Sequence, residues 1–276
     1  MTYAVYTAVG GRSNLLVGLT DLLRGLSKTR LWLAFAADEV QQRYRRSRLG
    51  LAWIVVSYLL FVAAIAIFFG GFSTKNAREF TAYVAVNYAL FSFLVANITD
   101  GCAVFRVSKT WIASMSLPHS IHVLKSTARS LFVFSISTIV ALIVLLATGH
   151  LMTPDSWMAL PAFLVLLVNA VFVQTWLGYL TARFRDLEHL MQSLTRILFF
   201  TTPILWVRAE QPEGSLRRII ADFNPLTHAL EIVSAPLFGH AVDPFSWKVI
   251  AIVTGLNFFF MMVVSYVSHR RLPYWL

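Results

Sequence analysis

Long uncharged runs alternate with short charged segments along this chain of 276 residues. The clearest boundary lies at residues 43–71, where a group of arginines ends and no charged residue follows until Lys75. A helix rises about 1.5 Å per residue, so a run of this length can cross a hydrocarbon core of roughly 30 Å. The arginines cannot follow it into lipid, because a charge at mid-bilayer costs at least ~2.5 kcal/mol. The pattern therefore predicts a first membrane span at about 51–71.

Five further uncharged runs predict spans at about 80–98, 128–148, 157–180, 187–207 and 247–267. The fifth of the six spans is the least regular, since it contains Arg196 near its start and Pro203 near its end, where a helix kinks or stops. Prolines then interrupt residues 208–245. This region predicts two short re-entrant helices within 215–238, at about 215–222 and 226–238, that dip into the membrane without crossing it.

The segment before the first span has helical spacing of its apolar residues but is too polar to cross a membrane. Within residues 31–46, one apolar stripe faces a polar side, which predicts an amphipathic helix at the membrane surface or packed on a protein. The stripe consists of Trp32, Phe35, Ala36, Val40 and Tyr44. We therefore divide the chain into an N-terminal extension with this helix (1–46), a transmembrane domain (47–268) and a short tail (269–276).

The distribution of basic residues predicts the orientation. If the N-terminus is cytoplasmic, seventeen lysines and arginines lie inside and six outside, which matches the positive-inside rule with both termini cytoplasmic. The composition agrees with a polytopic membrane protein, at 58% hydrophobic and 13% charged residues. The formal charge of +10 is then a property of loops beside anionic lipid, and we predict membrane lipids rather than nucleic acid as its partners.

Candidate chemistry on the chain is sparse. The sequence has no G-x-x-x-x-G-K-[ST] motif, so we predict no ATP site of the P-loop kind and no cofactor on this chain. His119 and His122 have a possible metal spacing, but no third ligand accompanies them, and we predict no metal site and no catalytic residue. A lipid-modifying enzyme that uses these histidines with Asp186 and Glu188 stays an alternative. The spans lack ionisable residues at their centres, which argues against ion-coupled transport.

Aromatic side chains are the main functional candidates inside the spans. Their faces can stack on sugar rings, pack between helices or face lipid. The polar stretch from Asp100 to Arg129 breaks at Leu117-Pro118 and predicts two short helices joined there. A chain without an ATP site but with helical features of this kind can receive force from a separate ATPase. The candidate aromatic residues are Trp53, Tyr58, Phe61, Phe199, Phe200 and Trp206.

Several short motifs, in this order, resemble the ABC-2 type permeases that export polysaccharides. The resemblance covers about residues 30–276. Thr202 stands where serine is commoner in the family, and residues 1–30 carry little family signature. The motifs are RYRRSRLGLAW at 43–53, the Leu117-Pro118 break, RDL at 185–187, TPILW at 202–206, NPL at 224–226 and RLPYW at 271–275.

The resemblance implies an all-α ABC-2 (type V) exporter fold with six transmembrane helices per chain, and not an enzyme by itself. It implies a homodimer with two copies of an ABC nucleotide-binding subunit that binds ATP and Mg²⁺, in a bacterial inner (cytoplasmic) membrane. The implied substrate is a lipid-linked polysaccharide, with O-antigen as the best match from the tail motif. Capsular polysaccharide or teichoic acid export is the alternative, followed by export of a drug or small lipid.

The resemblance also implies roles for particular residues. The 31–46 helix would be the interface helix and residues 100–127 the coupling or gate region, with Trp32, Phe35, Gln41, Arg106 and Lys109 as ATPase-coupling residues. The six aromatic residues named above would line the glycan channel. Three arginines at the predicted cytoplasmic mouth would meet the lipid pyrophosphate through fork-shaped donors, or simply anchor the chain by the positive-inside rule: Arg45, Arg46 and Arg48.

Overall fold

The structure is a computed structural model that describes residues 16–45, 47–149 and 153–276, and within these ranges it contains helices and no strands. Short 3₁₀ turns add to the helices at 70–72, 154–158 and 208–210. The α-helices are α1 (Val17–Leu26), α2 (Thr29–Tyr44), α3 (Ala52–Phe69), α4 (Ala77–Val107), α5 (Lys109–Ser114), α6 (Ser120–Ala147), α7 (Ala159–Arg183), α8 (Asp186–Thr201), α9 (Leu216–Phe223), α10 (Pro225–Leu237), α11 (Pro244–Ser268) and α12 (Leu272–Trp275).

Five helical segments of the described chain are long and apolar enough to cross a membrane. They overlap the predicted spans at about 51–71, 80–98, 128–148, 157–180 and 247–267, and they support a multi-pass membrane protein. In lipid, the backbone N–H and C=O groups of such runs can form hydrogen bonds only within the helix itself. The segments are Ala52–Phe72, Ala77–Val107, Ser120–Ala147, Pro154–Arg183 and Pro244–Ser268.

The predicted span at 187–207 corresponds to α8, which has 16 residues and a length of about 24 Å. The helix ends at Thr201 because Thr202, which precedes Pro203, has an extended backbone with ψ 135°. Although α8 is short, α8 and the residues after it connect the two ends of the bundle. Glu188 at its start meets Arg106 at the end of α4, and the Pro203 carbonyl meets Tyr83 near the start of α4. The count of six spans stays a prediction.

The bundle has two distinct ends. The α2 end carries α1, α2, α5 and α12, and there the Asp21 carboxylate of α1 accepts hydrogen bonds from the backbone N–H groups of His119 and Ser120 at 3.1 and 2.7 Å. The α10 end carries α9 and α10, and there Ser73 and Thr74 donate to the Glu210 carboxylate at 2.8 and 2.7 Å. The long helices run between these ends.

The polar stretch 100–129 differs from its prediction of two short helices. In the structure α4 continues without interruption to Val107, the separate helix α5 has 6 residues, and α6 already begins at Ser120. The physical reason is close packing of α4 on α7. A Cβ atom at Gly101 would lie 2.8 Å from the Cα atom of Gln174, so the polar end of α4 is held against a neighbour that a sequence pattern does not show.

Polar side chains join the long helices inside the bundle. The amide Nε2 of Gln174 on α7 donates to Asn97 Oδ1 on α4 at 2.6 Å and to Thr127 Oγ1 on α6 at 3.1 Å. A second pair connects α7 to α11, where Asn169 Nδ2 donates to Thr254 Oγ1 at 2.6 Å. Interhelical hydrogen bonds of this kind add specificity where lipid offers no hydrophobic drive for association.

The short helices lie close to their predicted positions. On α2, Ala36 and Val40 are buried against the bundle, as the apolar stripe at 31–46 predicts. Helices α9 and α10 confirm two short helices near 215–222 and 226–238, and Asn224 separates them because its side chain accepts from the Leu226 N–H at 3.0 Å ahead of Pro225. Their re-entrant placement in the membrane stays a prediction.

Candidate functional site

Aromatic rings from three helices meet in the middle of the bundle. Phe61 on α3 stacks on Tyr88 of α4 with 4.2 Å between ring centroids and 20° between planes, and Tyr58 lies 5.8 Å from the same ring. Phe199 on α8 lies 5.7 Å from both Phe61 and Phe91. We call Tyr58, Phe61, Tyr88, Phe91 and Phe199 the aromatic cluster, and it joins α3, α4 and α8.

Three of the six predicted aromatic residues therefore belong to the aromatic cluster: Tyr58, Phe61 and Phe199. Phe200 touches its edge, with its ring 5.4 Å from Phe199 and 66% of the residue exposed. Trp206 is held beside it, since Trp206 Nε1 donates to the Phe200 carbonyl at 3.3 Å. Trp53 lies outside the cluster, in the first turn of α3, and is 46% exposed.

The members of the aromatic cluster differ in how accessible their rings are to a ligand. Tyr58 is buried, and its hydroxyl donates to the Ala85 carbonyl at 2.5 Å, so this residue ties α3 to α4. Phe61, Tyr88 and Phe199 are partly exposed and present flat apolar faces. Tyr88 and Phe91 are not among the six predicted aromatic residues. Their spacing of three residues nevertheless indicates that they lie on one face of the helix.

Four charged residues form a second group at the α2 end. Glu39 of α2 pairs with Lys125 and with Arg129, both on α6, and the Arg129 distance is 2.7 Å. Arg129 also pairs with Asp100 of α4 at 2.9 Å. The Lys125 and Arg129 side chains are only 9% and 16% exposed. This ion-pair cluster of Glu39, Asp100, Lys125 and Arg129 fastens α2 to two long helices.

The position of Glu39 in the sequence indicates the ion-pair cluster, although none of its four residues is among the predicted site residues. Glu39 lies between Ala36 and Val40, on the buried side of α2 rather than on its polar face. A carboxylate on a buried helix face requires a cationic partner, because an unpaired buried charge is too costly. The partners are Lys125 and Arg129, both within the 100–129 stretch.

The predicted ATPase-coupling residues all lie at the α2 end. The ring of Phe35 on α2 lies 5.2 Å from that of Trp111 on α5, so these two helices touch. Arg106 donates to Glu188 at 2.6 Å and joins α4 to α8, and Lys109 is exposed at the start of α5. The structure thus brings the five residues to one end of the bundle, and their coupling role stays a prediction.

A large open cavity of about 1230 Å³ lies between α2, α6 and α7. Its walls are mostly apolar, while Trp32, Gln41 and Arg45 contribute to its polar side. Arg48 is exposed beyond this cavity, and Arg46 lies outside the described residues. Of the three arginines predicted to bind the pyrophosphate, the structure therefore describes only Arg45 and Arg48.

Two histidine rings lie close together at the α2 end, tilted by 43° to each other, beside a buried tyrosine. The rings of His119 and His269 are 4.4 Å apart, and the Tyr179 hydroxyl lies 3.0 and 3.1 Å from their Nδ1 atoms. Burial and the neighbouring His269 and His122 lower the pKa of His119 from 6.5 to about 3. Burial likewise lowers the pKa of His269, although the carboxylate of Asp21 opposes this shift. The two rings are therefore neutral at pH 7.

The lowered pKa of His119 predicts acid sensitivity. Below pH 6.5 the unfolded chain binds a proton at His119 that the folded chain refuses until about pH 3, so stability falls as the pH falls through this window. The slope for one such group is at most about 1.4 kcal/mol per pH unit. Unfolding of the detergent-solubilised chain at pH 7, 6 and 5 measures it. We expect a shallower slope for His119→Gln, and equal slopes would contradict the assignment.

Comparison with known proteins places this chain in a family. Residues 30–238 match the family of the ABC-2 type transporter. This range covers α2 through α10, and with it the aromatic cluster and the ion-pair cluster. The chain belongs to the ABC-2 type transporter family, whose members are membrane subunits of transporters.

The chain is also similar to an individual protein with a curated name. The chain is 22% identical over 223 residues to the O-antigen export system permease protein RfbA of Myxococcus xanthus. The alignment covers 79% of this chain and 85% of the relative. The similarity therefore extends over most of both proteins rather than over one motif.

Proposed function

We propose that this chain is the transmembrane permease subunit of an ATP-driven exporter that moves a lipid-linked polysaccharide of the O-antigen type out of the cytoplasm. The observation that carries the proposal is the similarity to an O-antigen export permease along 79% of the chain, within a family of transporter membrane subunits. The positive-inside pattern supports cytoplasmic termini, and the similarity to a bacterial export permease supports a location in a bacterial inner membrane.

The energy would come from another chain. The sequence has no phosphate-binding loop, so ATP and Mg²⁺ would bind to a nucleotide-binding subunit present in two copies. That subunit would press on α2 and α5, which touch through Phe35 and Trp111. Because the ion-pair cluster fastens α2 to α4 and α6, a displacement of α2 would be passed to the long helices rather than absorbed in a loop.

The path for the glycan would run along α3, α4 and α8. The aromatic cluster offers apolar ring faces that can stack on successive sugar rings without fixing any one of them. Apolar side chains on α3 and α8, such as Leu60 at 64% and Phe200 at 66% exposure, leave a face for a second copy of this chain. Arg45, Arg46 and Arg48 would meet the pyrophosphate of the lipid carrier at the cytoplasmic mouth.

Deletion of the gene in its own host tests the proposal. We expect the surface O-antigen ladder to disappear while lipid-linked glycan accumulates on the cytoplasmic side, because synthesis continues without export. Expression of this chain from a plasmid should restore the ladder. An unchanged ladder and no intracellular glycan in the deletion strain would contradict the proposed function.

Replacing Phe199 by leucine tests the role of the aromatic cluster. The change keeps most of the apolar volume but removes the ring that meets Phe61 and Phe91. Since a ring contact is worth about 0.5–1.5 kcal/mol, we expect export to fall roughly two- to tenfold at equal protein abundance. Phe259→Leu, on α11 and outside both the cluster and the predicted channel residues, is the control. Equal export by both variants would remove the aromatic cluster from the glycan path.

A further inference from the structure

A separate cavity of about 350 Å³ opens at the α10 end of the bundle. It lies between the first turns of α4, the segment 203–209 that follows α8 and one side of α10. This volume is within the range of about 300–1000 Å³ that small-molecule sites occupy. The aromatic cluster contributes none of its lining residues, so this cavity is distinct from the site described above.

One buried hydroxyl in the wall of this cavity lacks a partner. Thr227 in the first turn of α10 is only 2% exposed, and its Oγ1 has no hydrogen-bond partner within the described part of the chain. Buried polar groups in proteins nearly always have partners, and an exception calls for an explanation. Because Thr227 lines the cavity, a bound group can supply the missing hydrogen bond.

The charges around the cavity balance each other. Its lining includes three cations, of which Arg208 is neutralised by Asp222 at 2.6 Å and by Glu231 at 2.8 Å. It also includes three carboxylates, of which Glu79 accepts from the side-chain amide of Asn76, the N-cap of α4, and Asp243 caps α11 by accepting from the Phe245 N–H. A site for an anion or a cation would carry a net charge of opposite sign. A wall with both donors and acceptors instead fits hydroxyl groups, each of which can donate and accept.

The remaining wall is apolar and partly aromatic. Tyr83 and Phe238 lie with their ring centroids 6.3 Å apart, and Leu230 and Pro203 complete this side. The Tyr83 hydroxyl already donates to the Pro203 carbonyl at 2.7 Å, which fixes the ring in place. An apolar wall beside a few fixed polar groups is the usual composition of a small-ligand site. A pyranose ring combines apolar C–H faces with a rim of hydroxyl groups and matches both walls.

We propose that this cavity is a saccharide site that holds one sugar unit at the α10 end of the permease. In this site the Thr227 hydroxyl forms a hydrogen bond with a sugar hydroxyl. The assignment rests on the proposed function, since a glycan exporter is what would bring a sugar there. A site at this end would hold the glycan as it leaves the bundle and oppose its return.

The test is saturation-transfer NMR on the full-length permease in lipid nanodiscs with five methyl glycosides: glucoside, galactoside, mannoside, rhamnoside and N-acetylglucosaminide. We expect at least one of these probes to receive saturation from the protein. Thr227→Val should weaken its binding roughly fivefold, the effect of losing one hydrogen bond. Ala235→Phe, which places a ring in the cavity, should abolish it.

A matched control separates binding from folding. Thr138 on α6 also has a buried Oγ1 without a partner among the residues described, but it does not line this cavity. Thr138→Val should therefore keep wild-type sugar binding, and all three variants should give the wild-type elution profile. Absence of transfer to every glycoside, or equal binding by Thr227→Val and wild type, would overturn the saccharide site. Neither result would alter the outcome of the gene deletion, which tests export itself.

Discussion

Replacing Glu39 by alanine is expected to lower the free energy of unfolding by about 3 kcal/mol and to abolish most of the export. The carboxylate is the common partner of Lys125 and Arg129, whose side chains are only 9% and 16% exposed. Removing one partner of a buried ion pair leaves an uncompensated charge, which costs about 3–5 kcal/mol, and partial exposure puts this case at the low end. SDS titration of the purified chain measures stability, and the surface glycan ladder measures export.

Asp38→Ala provides the control for Glu39. Asp38 is the neighbouring carboxylate on the exposed side of α2, where it accepts from Gln42 at 2.6 Å, and its loss should change stability by no more than about 0.5 kcal/mol. The double variant Glu39→Gln with Lys125→Met should be more stable than Glu39→Ala, because it leaves no unpaired ammonium group. If Glu39→Ala unfolded like Asp38→Ala, the ion-pair cluster would not be what fastens α2.

Gly101→Ala should destabilise the chain by about 1–3 kcal/mol through a single added methyl group. The new Cβ atom would lie 2.8 Å from the Cα atom of Gln174, so the backbones of α4 and α7 must move apart. The hydrogen bonds from Gln174 to Asn97 and Thr127 would stretch with them. Thermal unfolding in detergent measures the loss, and we expect a lower membrane abundance in cells.

Gly255→Ala is the matched control for this substitution. Gly255 lies inside a long helix, α11, and an added Cβ would meet nothing within 4 Å. Alanine is the better helix former, so this variant should be as stable as wild type or up to about 1 kcal/mol more stable. A loss of stability at Gly255 as large as that at Gly101 would show that close packing of α4 on α7 is not the cause.

The parts of the fold that could be predicted depend on local chemistry. The uncharged run after Arg48 gives α3 its length, since lipid excludes charge and demands a helix. The break between α9 and α10 follows from Asn224-Pro225, an N-cap followed by a residue suited to the first helical position. Pro203 likewise stops α8, through the extended backbone it imposes on Thr202.

The parts that could not be predicted depend on contacts between distant segments. The polar residues after Asp100 and the Leu117-Pro118 break indicate two short helices, whereas Gly101 and Gln174 show that the first part of this stretch continues α4, packed on α7. A helix in contact with protein can carry polar residues that a helix in lipid cannot, and the sequence does not say which neighbour it has. The uncharged runs therefore place the end of α4 and the start of α6 too close to the apolar core, at about 98 and 128, whereas α4 continues to Val107 and α6 begins at Ser120.

The candidate sites show the same division. Aromatic residues in the spans were recognised by type, but only the structure shows that Tyr58, Phe61 and Phe199 meet while Trp53 lies apart. Glu39 is not among the predicted site residues, although its position between two buried residues of α2 indicates a buried partner. The sequence around Glu39 does not identify that partner, because Arg129 is ninety residues away along the chain.

Translocation in reconstituted proteoliposomes tests the central claim most directly. The purified chain is inserted with and without the ABC ATPase encoded in the same host, and a fluorescent lipid-linked O-antigen is followed across the membrane. We expect ATP-dependent movement of the glycan only when both chains, ATP and Mg²⁺ are present, and no ATP hydrolysis by this chain alone. Glycan that stays on its original side with both chains and ATP present, or ATP hydrolysis by this chain alone, would contradict its assignment as the permease subunit of a polysaccharide exporter.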